Sequence, residues 1–232
     1  MKKLVIIPTY NELENVKLLI PELMQLNSKF DILFVDDSSP DKTGPYIQSI
    51  ADTNHRIFLL SRQKKEGLGK AYIAGFKWGL DKNYDTLTEM DADFSHRPVD
   101  LDQILQLIET KNVVIGSRYV PGGKVVNWGL IRKIISRGGS IYSRMILGYP
   151  TNDWTGGFNT WNRIVLEKIN LDTIQSNGYS FQIELKYKAL KNGFEIIEHP
   201  IVFEDRRIGQ SKMSFRILIE AIYKVWLIRI GR

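Results

Sequence analysis

Short runs of aliphatic and β-branched residues alternate with helical patterns through the first half of this 232-residue chain, and that alternation limits the fold more than any other feature. Leu4 to Ile7 (LVII) reads as a buried strand. A helix is predicted from about Glu14 to Met24, a second strand over Asp31 to Asp37, and a helix from about Thr43 to Asp52. RIFLLS (Arg56 to Ser61) is a third strand and GLGKAYIAGFKWGL the helix after it. DTLTEMD leads into a helix over VDLDQILQLIE, and NVVIGSR (Asn112 to Arg118) is a fifth strand. Such alternation with short connections gives a mostly parallel sheet flanked by helices, an α/β fold. Ligands then bind where the strands deliver their C-terminal ends.

Polar residues gather at those ends. The first strand stops in Pro8-Thr9-Tyr10-Asn11-Glu12, the second in Asp36-Asp37-Ser38-Ser39, the fourth in Asp91-Ala92-Asp93 and the fifth in Ser117-Arg118. Four strands aiming hydrogen-bonding groups at one rim predict a site there. Residues two apart on an extended strand point the same way, so Asp91 and Asp93 reach one cation. Two carboxylates completed by water and phosphate oxygens suit Mg²⁺ or Mn²⁺. The competing reading is a turn or helix cap before VDLDQIL, and an isolated Asp-x-Asp does not separate the two. Glu89 breaks the buried pattern of its strand, and two explanations stand: partial exposure, or a lysine partner.

The second half is less regular. GLIRKIISRGGSIYSRMILG reads as a helix interrupted near Gly138-Gly139, GYSFQIELKYKALKNG as a helix stopped by Gly193, FEIIEHPIVFEDR as one or two strands, and the last residues as a helix. No linker divides the chain, so a catalytic domain is expected over residues 1–212 with an amphipathic helix appended over 213–232. The absence of cysteine excludes disulfides, thiolate zinc and thiol nucleophiles. A net charge of +6 favours anionic partners. KKEGLGKA fails as a phosphate loop because Lys64 and Ala71 stand where glycine and Ser/Thr are required. It fails as a dinucleotide fingerprint at Tyr72, and RGGSIY fails as a nucleophile elbow at Tyr142. The apolar run at the N-terminus ends at Pro8, too short for a signal peptide, and no segment reaches the roughly 18 uncharged apolar residues of a membrane span.

Nine blocks occur in order: VIIPTYNELENV, LFVDDSSPDKTG, GLGKAYIAGFKWG, MDADFSHRP, GSRYVPGG, RKIISRGGS, DWTGGF, GYSFQIE and EDRRIGQSKMS. Together they resemble the dolichol-phosphate or polyprenol-phosphate mannosyltransferases of glycosyltransferase family 2, from about Val5 to Ser214. Asp-x-Asp is widely shared among glycosyltransferases; SHRP, RKIISRG and DRRIGQSKMS are more specific to this branch. The resemblance implies a GT-A fold, a GDP-mannose donor, a polyprenyl monophosphate acceptor and inversion at the sugar carbon. It implies that Pro8, Tyr10 and Glu12 hold the guanosine, with Val35 and Asp37 on the next strand. Asp91 and Asp93 would bind the metal, Ala92 would line the nucleotide, and Arg206 and Lys212 would close over the diphosphate. Arg118, Arg132 and Ser136 would receive the acceptor phosphate. Ser95 stands where some members carry an amide side chain, which leaves a third protein ligand in doubt.

The chemistry agrees with that pattern. A departing nucleoside diphosphate concentrates negative charge, which a divalent ion and basic side chains stabilise. A phosphate monoester, with a second pKa of about 6, attacks without a general base. The interval from Gly116 to Arg144 holds Arg118, Lys124, Arg132, Lys133, Arg137 and Arg144 with no acidic residue, a surface suited to phosphate. Its few aromatics and the lack of a recognition motif argue against nucleic acid. His96 reads as a structural hydrogen-bonder, Asp153 as either a sugar contact or a turn cap, and Gln182 and Glu184 as either facing the site or, more often for such a helix, lying on a solvated face. The final helix carries Arg216, Glu220 and Lys224 on one stripe and is otherwise apolar, with Trp226, Arg229 and Arg232 near its end. Lipid, the protein's own core, a homodimer contact or a separate membrane-anchor subunit are its candidate partners; attachment to the cytoplasmic face of a membrane is expected. Two rivals remain: a UDP-glucose transferase acting on the same lipid class, and a non-catalytic nucleotide-sugar-binding subunit.

Overall fold

The computed structural model describes residues 1–205 and 215–231. The first half follows the predicted alternation: β1 (Lys3–Thr9), α1 (Leu13–Met24), β2 (Asp31–Asp36), α2 (Thr43–Ala51), β3 (Ile57–Ser61), α3 (Leu68–Asp81), β4 (Thr86–Glu89), α4 (Pro98–Leu107) and β5 (Val113–Ser117). The second half adds β6 (Lys124–Val125), α5 (Leu130–Leu147), β7 (Asn159–Asn162), α6 (Arg163–Ile169), α7 (Tyr179–Lys191), β8 (Ile196–Pro200), β9 (Val202–Phe203) and α8 (Phe215–Ile230). The main sheet has the order β3-β2-β1-β4-β7-β5-β8. All its pairings are parallel except those of β7, which runs antiparallel between β4 and β5. The polarity of NTWN hides this strand from a search for aliphatic runs; it is buried because neighbours on both edges cover it.

Alternation along β1 sets the layers. Val5 and Ile7 face one side and join Val16, Leu19, Leu101 and Ile104 from α1 and α4. Leu4 and Ile6 face the other and join Tyr72, Phe76, Phe181 and Leu185 from α3 and α7. Helix α3 lies close on this second face because Gly75 and Gly79 point at it. A Cβ on Gly75 would come within 2.5 Å of Ile6 Cγ2, and one on Gly79 within 2.4 Å of Leu87 Cδ2. The strand order reverses beside β1, where β2 continues one way and β4 the other, so the carboxyl ends of β1, β2 and β4 open onto one crevice.

Two expectations need correction. Helix α5 runs unbroken through Gly138-Gly139. Neither glycine has a positive φ, and a Cβ at Gly138 would meet nothing, so the pair costs helix propensity without ending the helix. Glu89 is neither partly exposed nor answered by a lysine contact; it is fully buried and held by amide and indole donors. The last helix meets one of its open alternatives in part: Val225 and Ile228 pack into the protein's own cluster with Leu147, Ile183 and Tyr187, while Tyr223, Trp226 and Ile230 are exposed. The side chains of Arg216 and Glu220 lie outside the described residues.

Candidate active site

Two cavities open along the carboxyl edge of the sheet and meet at one pair of acids. The larger, about 520 Å³, runs over the ends of β1 and β2, with Pro8, Tyr10, Glu12 and Asp37 on one side and Asn177, Gly178 and Tyr179 on the other. The smaller, about 230 Å³, is walled by Trp128, Arg132, Ile135 and Ser136, by Arg118 and His96, and by Phe203 and Asp205. Asp91 and Asp93 line both, together with Leu68, Gly178 and Tyr179.

The acids sit there because β4 ends at Glu89 and the chain then turns sharply. Phe94, buried, takes a positive φ of 64°, an unusual conformation for a bulky residue. The turn brings the Ser95 N–H back to donate to Asp93 Oδ1 at 3.1 Å. The Tyr72 hydroxyl donates to Asp91 Oδ1 at 3.2 Å, and the Asp91 N–H donates to His96 Nδ1 at 3.0 Å. His96 stacks on Phe158 with ring centroids 4.5 Å apart, and burial pushes its pKa down to about 4. It is therefore a neutral imidazole with its proton on Nε2, a structural hydrogen-bonder as the sequence suggests. Burial and the nearby carboxylates raise the Tyr72 phenol well above its ordinary range, so it remains a donor.

Among the described residues no third acid or histidine completes a ready-made metal cluster. The donor set nevertheless fits Mg²⁺ or Mn²⁺: hard oxygen ligands, oriented by a phenol and a backbone N–H, with coordination left for water and phosphate. The buried Ser95 Oγ, with no hydrogen-bond partner, lines the smaller cavity beside them.

Sequence reasoning missed what lies under the pair. Glu89 Oε1 accepts from Trp161 Nε1 at 2.8 Å and Asn159 Nδ2 at 3.1 Å, and its Oε2 from Gln182 Nε2 at 2.5 Å. Burial, only partly offset by these donors, pushes Glu89 up to about 7. Gln182 and Glu184 are buried and not on a solvated face, and Gln182 lines the smaller cavity. The one available signal was an acid in a strand otherwise built for the core.

Asp153 caps the turn to Gly156, one of the two readings open in the sequence, and also forms an ion pair that the sequence did not show. It is fully buried and accepts from Arg118 Nε and Nη2, both at 2.8 Å, and from the Arg118 and Gly156 N–H groups at 2.9 Å. The guanidinium overcomes the burial that would raise this carboxyl and holds it down to about 2. Lys186, also buried, donates to the carbonyls of Asp153 and Gly156 at 2.9 and 2.8 Å and fixes the same loop. Arg118 thus faces the smaller cavity with two of its nitrogens engaged. Arg132 lies 3.9 Å from the Trp128 ring centroid and pairs with Asp205 at 2.8 Å. Ser136 accepts from the Tyr119 hydroxyl at 2.7 Å.

Pro8, Tyr10, Glu12, Asp37, Asp91, Ala92 and Asp93 come together around the larger cavity as expected. Val35 does not reach it: its side chain is in the core against α3. Lys65, 3.7 Å from the Tyr10 ring centroid, is an unforeseen member of the wall. Arg206 and Lys212 lie outside the described residues.

A mostly parallel sheet with a switch-point crevice, and two lobes meeting at a pair of acids, has the architecture of the GT-A nucleotide-sugar transferases. The family model described as glycosyl transferase family 2 matches residues 4–170, and the chain belongs to that family. Within it, the chain is 46% identical over 225 residues to an undecaprenyl-phosphate mannosyltransferase of Micrococcus luteus, covering 97% of this chain and 93% of the relative. It is likewise 46% identical to a polyprenol monophosphomannose synthase of Mycolicibacterium smegmatis, covering 98% and 88%. Among solved structures, glucosyl-3-phosphoglycerate synthase from Mycobacterium tuberculosis, in complex with Mn²⁺, UDP and glucosyl-3-phosphoglycerate, shares the fold with a TM-score of 0.65 at 17% identity, covering 99% of this chain and 80% of that one. A mannosyltransferase from Pyrobaculum calidifontis in complex with GDP-Man and Mn²⁺ does so with 0.60 at 15% identity, covering 99% and 73%.

Proposed function

We propose that this chain transfers mannose from GDP-mannose to a polyprenyl monophosphate, with inversion. The observation that carries the reading is the junction of two unlike lobes at Asp91 and Asp93. The larger is lined by polar groups suited to a nucleotide. In the smaller, Trp128, Ile135 and Phe203 surround Arg118, Arg132 and Ser136, an apolar wall around basic groups that suits an isoprenyl phosphate. The two full-length relatives, both named for mannose and polyprenyl phosphates, support the substrate class.

In this reading Pro8, Tyr10, Glu12 and Asp37 hold the guanosine, with Ala92 at its edge and Val35 contributing only backbone. Asp91 and Asp93 hold Mg²⁺ or Mn²⁺, which supplies charge neutralisation at the leaving diphosphate. Arg206 and Lys212 add positive charge to the same group. Arg132, Ser136 and the remaining Nη1 of Arg118 position the acceptor phosphate. One of its oxygens attacks the sugar C1 opposite the diphosphate; the C1–O bond to GDP breaks and its electron pair departs on the diphosphate. No proton must be removed, because the monoester is largely dianionic near neutral pH. His96 is consistent with this, since its Nδ1 is committed to the Asp91 N–H. No helix among the described residues is long and apolar enough to cross a membrane. The lipid acceptor therefore calls for work at a bilayer surface, which we assign to the cytoplasmic face.

The test is turnover of radiolabelled GDP-mannose with a short polyprenyl phosphate, with and without chelator. Lipid-extractable mannose that disappears with EDTA and returns with Mn²⁺ is expected. Turnover with UDP-glucose alone would overturn the donor, and donor binding without turnover would overturn catalysis.

A further inference from the structure

Gln182 is only 2% exposed, yet it lines the smaller cavity. It stands on α7 three positions after Tyr179, on the same helix face. Tyr179 lines both lobes, so Gln182 lies just past their junction at Asp91 and Asp93, on the side of the smaller one. Arg132 and Ser136 reach the same cavity from a separate element, α5.

The network beneath fixes which way the amide points. The Gly156 carbonyl can only accept, so the Asn159 atom 3.3 Å from it is Nδ2. Asn159 Nδ2 also donates to Gln182 Oε1 at 2.7 Å and to Glu89 Oε1 at 3.1 Å. The Gln182 oxygen is thereby engaged by Asn159, and its Nε2 is turned to Glu89 Oε2 at 2.5 Å. That bond uses one of the two Nε2 hydrogens; the other has no acceptor among the described residues. A buried donor without a partner is costly and points to something that accepts from it.

Gly157 keeps that nitrogen uncovered. It too lines the cavity, and a Cβ there would stand 3.4 Å from Gln182 Nε2 and 4.0 Å from His96 Cε1. Its φ is not positive, so turn geometry does not demand glycine; the missing side chain leaves an open approach to the amide. What accepts there follows from place and charge. Arginines serve a phosphate dianion better than a neutral amide does, and Arg118 and Arg132 line this cavity. An uncharged N–H beside the acid pair suits an uncharged acceptor, a hydroxyl of the hexose that lies between the diphosphate and the attacking phosphate. A site that commits a buried donor to a hydroxyl rejects sugars lacking it.

We propose that the Gln182 amide, held by Asn159 and Glu89 and bared by Gly157, donates to a hydroxyl of the sugar being transferred and so helps to select the donor sugar. The proposal rests on the reading of the crevice as a nucleotide-sugar site with Asp91 and Asp93 at its diphosphate.

The test is calorimetric titration of the full chain, with Mn²⁺ present, by GDP and by GDP-mannose; the ratio of the two dissociation constants isolates the sugar. Gly157→Ala covers Nε2 with a methyl group that backbone and space admit. It is expected to raise the GDP-mannose constant at least about fivefold and to leave the GDP constant unchanged. Gln182→Met is expected to do the same; should it unfold because Glu89 and Asn159 lose a partner, Gly157→Ala carries the test. Among GDP-mannose analogues each lacking one hydroxyl, one is expected to bind wild type at least about fivefold more weakly than GDP-mannose, and to bind Gly157→Ala no more weakly than GDP-mannose does. An unchanged ratio in Gly157→Ala, or an equal loss of GDP and GDP-mannose affinity, overturns the proposal. So does a deoxy series in which no hydroxyl responds to the change at position 157. Wild type that binds no GDP-mannose overturns the donor reading and this proposal with it, whereas donor binding with an unchanged ratio overturns this proposal alone.

Discussion

Replacing Asp153 with Asn isolates the buried pair that supports the acceptor lobe. In the folded chain this carboxylate receives four hydrogen bonds, three from Arg118, and sits at about 2 against an ordinary 3.8. That depression corresponds to about 2 kcal/mol of folding stability, fully present above the unfolded pKa and lost as pH falls through the folded one. The loss should begin below about pH 5 and reach roughly half by pH 3. The amide removes this dependence and leaves the buried Arg118 guanidinium, which burial disfavours and Asp153 chiefly sustains, without that counter-charge. Breaking a buried pair from one side costs about 3–5 kcal/mol. Urea unfolding followed by tryptophan fluorescence at pH 7 should show that loss, and the gap between wild type and Asp153→Asn should narrow by about 1 kcal/mol at pH 3. Equal midpoints at pH 7, or a gap that stays constant down to pH 3, would refute the assignment of Asp153 as an ionised, structure-bearing partner.

Other consequences are equally direct. Asp93→Asn should lower transfer by about 10²–10³-fold and weaken the dependence of donor affinity on Mn²⁺, read by calorimetric titration of GDP. Arg132→Gln should raise the KM for the lipid acceptor at least about tenfold while leaving GDP affinity unchanged, since the side chain lines only the smaller cavity. Gly79→Ala must displace Leu87 and Leu4, 2.4 and 2.8 Å from the new Cβ, and should cost about 1–3 kcal/mol in a thermal melt; an unchanged Tm would show that α3 does not lie so close. Lys186 is held down to about 8 by burial, so the unfolded chain binds more protons between about pH 8 and 10.5 and this lysine adds stability as pH rises through that window. Lys186→Met should remove that rise, as measured by urea midpoints at pH 7.5 and 9.5.

The parallel strands and the rim where they end were legible because burial on both faces demands continuous aliphatic runs, and because polar residues collect where those runs stop. The acid pair was legible as polar residues just past an apolar run, but β4 ends at Glu89, so the turn through Phe94 and not a strand period brings Asp91 and Asp93 to the same cavities. What escaped is instructive in each case. β7 is polar, and its burial comes from neighbours far along the chain, so no local period marks it. Glu89, Gln182 and Asn159 each look like surface residues until β4, β7 and α7 bring them together. Gly138-Gly139 looked like a break, but α5 has room on its outer side and needs no turn there.

The amino-acid sequence alone determined the class of fold, the sheet edge where polar groups gather and the acid pair found there, because these follow from periodicity and chain order. Only the tertiary structure decided which charges remain available. It joined Asp153 to Arg118 across 35 residues, hid Glu89 beneath the pair it precedes, and turned the serines of α5 inward and its isoleucines out. Partnership and exposure depend on contacts between distant segments, and those exist only once the chain has closed on itself.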